Sequence, residues 1–365
     1  MNFKNIFNNL VVFAAMYAFL LLIITLSFDF ISPIIKAKKI SSDSRISAQA
    51  FAGVKDQKTI FANSRTAPKQ YIPFVAWKQK PYASKYVNIN ADGHRLTPQQ
   101  KSSTKRMTVG FFGSSPIWGA GVRDSQTLPA FFARTNNNYE VINFAQPGYT
   151  SRQSLDLLIN LIAEQKMPDI VIFNDGFADT YVLCNSQFTS SLNGHSQEKR
   201  IATAMEKRKG YSFSNTFLAP ILALPGKLFK KSKYKKPLEC TTNKSKANAV
   251  ASTLYENWQM ASDLVQSRGG KFFAILQPTA YQTKSPVAGL KLKTKKKFKT
   301  LAPAISSIYD ITQKIHTVKK SKWFHDFTAI YDQSKKYIFF DNIHVAAQGN
   351  EIYAAKISTI LRSSN

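Results

Sequence analysis

The 365-residue chain is 44% hydrophobic, which suits one large folded domain with appendages and excludes a disordered chain. Its 50 Lys and Arg against 21 Asp and Glu leave a net charge of +29, a balance that favours anionic partners: nucleic acid, acidic glycans or an anionic membrane surface. No recognised nucleic-acid-binding motif accompanies the charge, which disfavours the first of these.

From Leu10 to Phe28 runs an uncharged stretch rich in Leu, Ile, Val and Phe, long enough for a membrane span. Phe28-Asp29-Phe30-Ile31 follows it, and the first Ala-x-Ala pattern, Ala48 to Ala50, lies far downstream, so a cleaved signal is not expected. Residues 1–30 read as a single-pass anchor. Lys36, Lys38 and Lys39 outweigh Lys4 across the span, and that flank charge leans toward a cytoplasmic body. Residues 31–70, Ser-, Ala- and Lys-rich without a sustained period, read as a juxtamembrane linker. Residues 71–97 alternate bulky and polar side chains around an Asp92-Gly93 turn and predict a small β-hairpin.

Strands are expected at 107–112, 140–144, 169–173, 271–276 and 337–340, with helices at 126–134, 152–164, 251–267 and 304–318. This alternation predicts an α/β fold with a parallel sheet covered on both faces. Ligands in such sheets gather at the carboxyl ends of the strands, and Ser115, Gly148, Asp179 and His344 each follow an expected strand. Residues 185–246, with the basic run 227–236, break the rhythm and read as an insertion; a second basic loop is 291–299.

Four short segments can carry chemistry. Gly113-Ser114-Ser115 places a serine on a tight turn after a buried strand, either as a nucleophile awaiting a base or as a helix cap. Gly148 offers a backbone N–H to an oxyanion, or marks an ordinary strand-to-helix turn. The polar segment from Asn174 to Asp179 closes the third strand. Asp341 precedes His344 by three residues, so one helical turn would let the carboxylate orient the ring and stabilise its imidazolium.

In order, Gly113-x-Ser115, Gly148, Gly176-x-x-Asp179 and Asp341-x-x-His344, followed by Gln348-Gly349-Asn350, resemble the motifs of the SGNH/GDSL hydrolase superfamily over roughly residues 108–365. The resemblance implies a three-layer α/β/α sandwich within 71–365. It implies Ser115 as nucleophile, His344 as base and Asp341 as its orienting acid. The oxyanion hole would combine the N–H groups of Ser115 and Gly148 with an asparagine side chain, and no metal or cofactor is implied. Two departures stand out. Ser114 replaces the usual aspartate, and Ala178 replaces the oxyanion asparagine between Gly176 and Asp179. Loss of one such donor typically costs about 10²–10³ in rate.

The expectation is therefore a membrane-anchored serine esterase or O-acyltransferase. Its substrates would be acyl esters, foremost acetyl, of cell-envelope glycans or lipid-linked glycans. The body would lie outside the cytoplasmic membrane of a bacterium, against the flank charge. The alternative is a catalytically impaired scaffold that binds glycan or membrane. Cys184 and Cys240, the only cysteines, bracket most of the insertion; they would staple its base outside the cytoplasm, or remain unrelated thiols. His94, His195, His316 and His325 lack a ligand pattern, and no metal site is expected. The two basic loops are expected to rim the active-site mouth and meet anionic lipid or glycan, or else to be simply solvated.

Overall fold

The computed structural model describes residues 43–99, 106–186, 238–287 and 301–363, with a few positions between these ranges and within 8–23. The chain divides into two compact units, Met1–Asp43 with Ala204–Tyr234, and Ser44–Thr203 with Lys235–Asn365. The anchor expected at 1–30, the basic runs 227–236 and 291–299, and His195 lie wholly or largely outside the described residues. Val11, Phe13 and Met16 are helical and exposed. No helix among the described residues is long and apolar enough to cross a membrane.

The second unit is built on a five-stranded parallel sheet in the order β4-β3-β5-β6-β7. Its strands are β3 (Met107–Gly113), β4 (Tyr139–Asn143), β5 (Ile170–Asp175), β6 (Lys271–Leu276) and β7 (Phe324–Asp326). Continuous apolar runs suit strands buried on both faces. Phe112, Val171, Phe173, Phe272 and Ala274 point to one face and join α4 (Ser151–Ala163), α6 (Lys244–Gln266) and α7 (Leu301–Lys319) through Leu158, Trp258 and Ile308. Phe111, Ile170, Ile172, Phe273 and Ile275 point to the other face and meet α3 (Leu128–Thr135) and α8 (Ala347–Ser363) through Phe132 and Ile357. The alternation produces the expected three layers. Each fully buried side chain of this size contributes about 1.5–3 kcal/mol relative to exposure.

Four expectations are corrected. Residues 337–340 are not a sheet strand: only Phe339 makes a bridge, antiparallel to Val345, while the fifth strand is the three-residue β7. The apolar side chains of Ile338, Phe339 and Phe340 are buried by packing instead, Phe340 against Phe51 and Phe61. The second half of the linker expected at 31–70 is folded, since α1 (Gln57–Thr66) buries Ile60 and Phe61. The insertion expected at 185–246 gives way to α6 at Lys244, where Asn243 accepts the Lys246 N–H as N-cap. The hairpin expected over 71–97 is two structures. β1 (Lys69–Ile72) pairs antiparallel with β2 (Ala76–Gln79), and separate bridges join Ile89 to Tyr82 and Arg95 around the Asp92-Gly93 turn.

Cys184 and Cys240 are joined in a disulfide with their Cα atoms 5.3 Å apart.

Candidate active site

β3 ends at Gly113, whose φ of +141° lies where side chains are disfavoured; a Cβ there would stand 2.5 Å from the Asn174 carbonyl of β5. Glycine thus lets the chain turn sharply against the neighbouring strand. Ser114 is extended and buried, and Ser115 opens the short helix α2 (Ser115–Trp118). The turn puts the Ser115 hydroxyl at the carboxyl end of the sheet, just past the interior strand β3.

Asp341 and His344 reach the same end on a reverse turn rather than a helix. The Phe340 N–H donates to the His344 carbonyl at 3.0 Å. Asp341 Oδ1 accepts the N–H groups of Ile343 (3.0 Å) and His344 (2.9 Å), so the acid's own side chain closes the turn. His344 Nδ1 lies 2.7 Å from Asp341 Oδ2, and His344 Nε2 lies 2.7 Å from Ser115 Oγ. Both side chains of the pair are nearly buried, 12% and 14% exposed.

Burial alone would raise the Asp341 carboxyl. The His344 ring, the Arg45 guanidinium and the Ile343 N–H more than offset it and hold the group well below the usual carboxylate range. An ionised Asp341 can only accept, so His344 Nδ1 carries the proton and Nε2 presents its lone pair to the Ser115 hydroxyl. The structure thus brings together the three residues singled out from the sequence, in the arrangement needed for general-base activation of a serine.

The oxyanion positions are less complete. Gly148 sits in a turn after β4 with φ +89°, where a Cβ would meet Trp77 at 3.6 Å. Gly176 (φ +125°) precedes α5 (Phe177–Leu183), and Ala178 is buried on that helix with no polar group to offer. Asn174, at the end of β5, donates its Nδ2 to the Tyr353 hydroxyl on α8. Asp179 is structural. It accepts the Ser151 N–H at 2.9 Å, the Ser151 hydroxyl at 2.6 Å and the Gly176 N–H at 3.3 Å. Asp175 accepts the Trp258 indole N–H at 3.0 Å. Burial pushes both acids up; the Asp179 charge adds to the rise at Asp175, and the Ser151 and Gly176 hydrogen bonds oppose it at Asp179.

Three surrounding residues went unread in the sequence. Arg45 lies 3.1 Å from Asp341 Oδ2, and Phe340 stacks on His344 with centroids 5.5 Å apart. Gln277, after β6, lines a small cavity with Pro116, Ile117, Asn174 and Ile343, its amide buried and without a partner among the described residues. None belongs to a local motif. His94 is half-buried and edge-on to Phe144, its pKa lowered by burial to about 4. His316 and His325 stack on Phe324 and Phe273. Among the described residues no cluster of His, Cys, Asp and Glu could hold a metal ion.

No protein-family model matches the chain, and no curated relative matches it by sequence. Solved structures do. A lipase/acylhydrolase from Enterococcus faecalis is 15% identical, with TM-score 0.40, covering 71% of this chain and 96% of that one. A member of the lipolytic protein G-D-S-L family from Veillonella parvula DSM 2008 is 12% identical, with TM-score 0.38, covering 69% and 97%. A GDSL-like lipase from Bacteroides thetaiotaomicron VPI-5482 is 15% identical, with TM-score 0.38, covering 71% and 89%. At these values the likeness is distant, and the site's own geometry carries the chemistry.

Proposed function

We propose that the protein is a serine ester hydrolase or acyltransferase of the SGNH kind, working through an acyl-Ser115 intermediate. The observation that carries this reading is the continuous chain Ser115 Oγ–His344 Nε2–His344 Nδ1–Asp341, 2.7 Å at each link. Ser115 Oγ attacks the acyl carbon as its proton passes to Nε2. The C–O bond to the leaving alcohol then breaks, and the imidazolium returns the proton to that alcohol. A water, or the hydroxyl of a second glycan, next loses its proton to Nε2 and attacks the acyl-enzyme. Ser115 Oγ leaves and recovers a proton. Hydrolase and transferase differ only in that acceptor. The Ser115 and Gly148 N–H groups would hold the oxyanion, with Ala178 leaving the hole one donor short of the family pattern.

The finer reading is an enzyme anchored through residues 1–30 at a bacterial cytoplasmic membrane, with its body on the outer side. It would act on acyl, foremost acetyl, esters of envelope or lipid-linked glycans. The Cys184–Cys240 disulfide supports an oxidising compartment, and the +29 charge supports an anionic surface or polymer as neighbour. Ala178 favours a second reading, an impaired scaffold that binds glycan or membrane. Covalent labelling of the full chain by a serine-directed fluorophosphonate decides between them. Wild type should label and Ser115→Ala should not; equal labelling, or none in either, overturns the esterase reading. An alkaline phosphatase fusion after Thr97 should be active in cells if the body is extracytoplasmic.

A further inference from the structure

The residue with the most direct hold on the triad, apart from its own members, comes from the far end of the chain. Arg45 Nη1 donates to Asp341 Oδ2 at 3.1 Å across 296 residues of sequence. That oxygen is the one lying 2.7 Å from His344 Nδ1. Oδ1 is occupied by the Ile343 and His344 N–H groups, so Arg45 completes the fixing of the carboxylate.

The contact is built into the fold. The Arg45 guanidinium lies 5.3 Å from the Phe61 ring centroid. Phe61 packs on Phe340 at 5.5 Å and Phe51 on Phe340 at 4.6 Å, and Phe340 in turn lies parallel to the His344 ring. Gln348 Nε2 donates to the Ala50 and Tyr337 carbonyls, tying the segment that carries Arg45 to the helix following His344. Residues 45–61 therefore form one wall of the triad.

We propose that Arg45 is a positioning residue of this site, holding Asp341 for His344 and disfavouring the imidazolium between turnovers. A guanidinium sharing the carboxylate with the ring repels a second positive charge there. The groups facing the Asp341–His344 pair are Arg45, the Ser115 hydroxyl and Tyr281, whose hydroxyl is pushed up by burial and then by the Asp341 charge, so it stays neutral. Among the described residues, Arg45 is the cation bonded to the pair. Its side chain is 32% exposed, so solvent screens the repulsion.

The kinetic half of the test rests on the esterase reading; the second half does not. In the full chain in detergent, Arg45→Gln should move the acid limb of kcat/KM for an aryl acetate upward by about half to one pH unit, while Arg45→Lys should stay with wild type. Independently, the pH dependence of His344 carbethoxylation by diethyl pyrocarbonate, read by peptide mass spectrometry, should shift by the same amount in Arg45→Gln and not in Arg45→Lys. An unshifted carbethoxylation curve in Arg45→Gln overturns the proposal. A wild type without esterase activity overturns the esterase reading alone, because the modification curve still reports on Arg45.

Discussion

Removing the guanidinium of Arg95 should unfold the nucleophile's surroundings before anything else. Arg95 is 1% exposed. Its Nε donates to Asp124 Oδ1 at 2.5 Å, its Nη1 to the Trp118 and Gly119 carbonyls at 3.3 and 3.1 Å, and its Nη2 to the Val122 carbonyl at 2.9 Å. It also lies 4.6 Å from the Trp118 ring centroid. These acceptors all lie in residues 118–124, the loop leaving the Ser115 helix. Arg95→Met keeps most of the stem but strands three carbonyls and leaves the buried Asp124 carboxylate without a countercharge, held only by the Asn88 N–H and Nδ2, a loss that typically costs about 3–5 kcal/mol. For a domain of this size about 1 kcal/mol moves Tm by about 2–4 °C, so a drop of about 10 °C is expected. Thermal unfolding followed by circular dichroism measures it. Arg95→Met with Asp124→Leu should recover much of the loss, because replacing both partners removes the unpaired charge. A single variant melting within about 2 °C of wild type, or a double variant no better than the single, refutes the reasoning.

Restoring the missing donor with Ala178→Asn should raise aryl-ester turnover by up to about 10²-fold, measured as kcat. His94→Phe should flatten the acid loss of stability. The half-buried neutral ring's contribution is complete above pH 6.5 and disappears as pH falls toward about 4, so Tm plotted over that window distinguishes the variant. Replacing both Cys184 and Cys240 by serine should cost about 2–4 kcal/mol in denaturant unfolding, because the loop they close is long. Asp175→Asn, which keeps an acceptor for the Trp258 indole, should raise Tm more at pH 8 than at pH 5. Its folded-state pKa lies above the ordinary value, so the ionised acid opposes folding only once pH has risen past the unfolded value.

Four of the five sheet strands were legible because strands buried on both faces must be continuously apolar, as Ile170–Asp175 and Lys271–Leu276 nearly are. The fifth was not. Phe324–Asp326 pairs with β6 over three residues, too short for a period, whereas the more apolar 337–340 is buried by the aromatics of the N-terminal segment. The triad was legible because Asp341 and His344 share one turn and a glycine precedes Ser115 by two residues. Arg45 was illegible, since nothing local distinguishes it from the other cations of a Ser- and Lys-rich stretch. Its partner is set by tertiary packing through Phe51, Phe61 and Phe340. The turn at Asp341 also departs from the helical spacing argued for it: the carboxylate bonds its own downstream amides, and reaches the ring by that route.

The disulfide gives the sheet domain a gate. Residues 184 and 240 stand 5.3 Å apart, and the Glu239 N–H donates to the Cys184 carbonyl at 2.9 Å beside the covalent link. The chain therefore leaves after α5 and re-enters before α6 through a neck about as wide as one strand spacing. Closure entropy grows only slowly with loop length, so residues added far beyond the neck cost the scaffold little, whereas Phe188 and Leu192, just past it, pack on the core and tie the first turn of the excursion to the sheet domain.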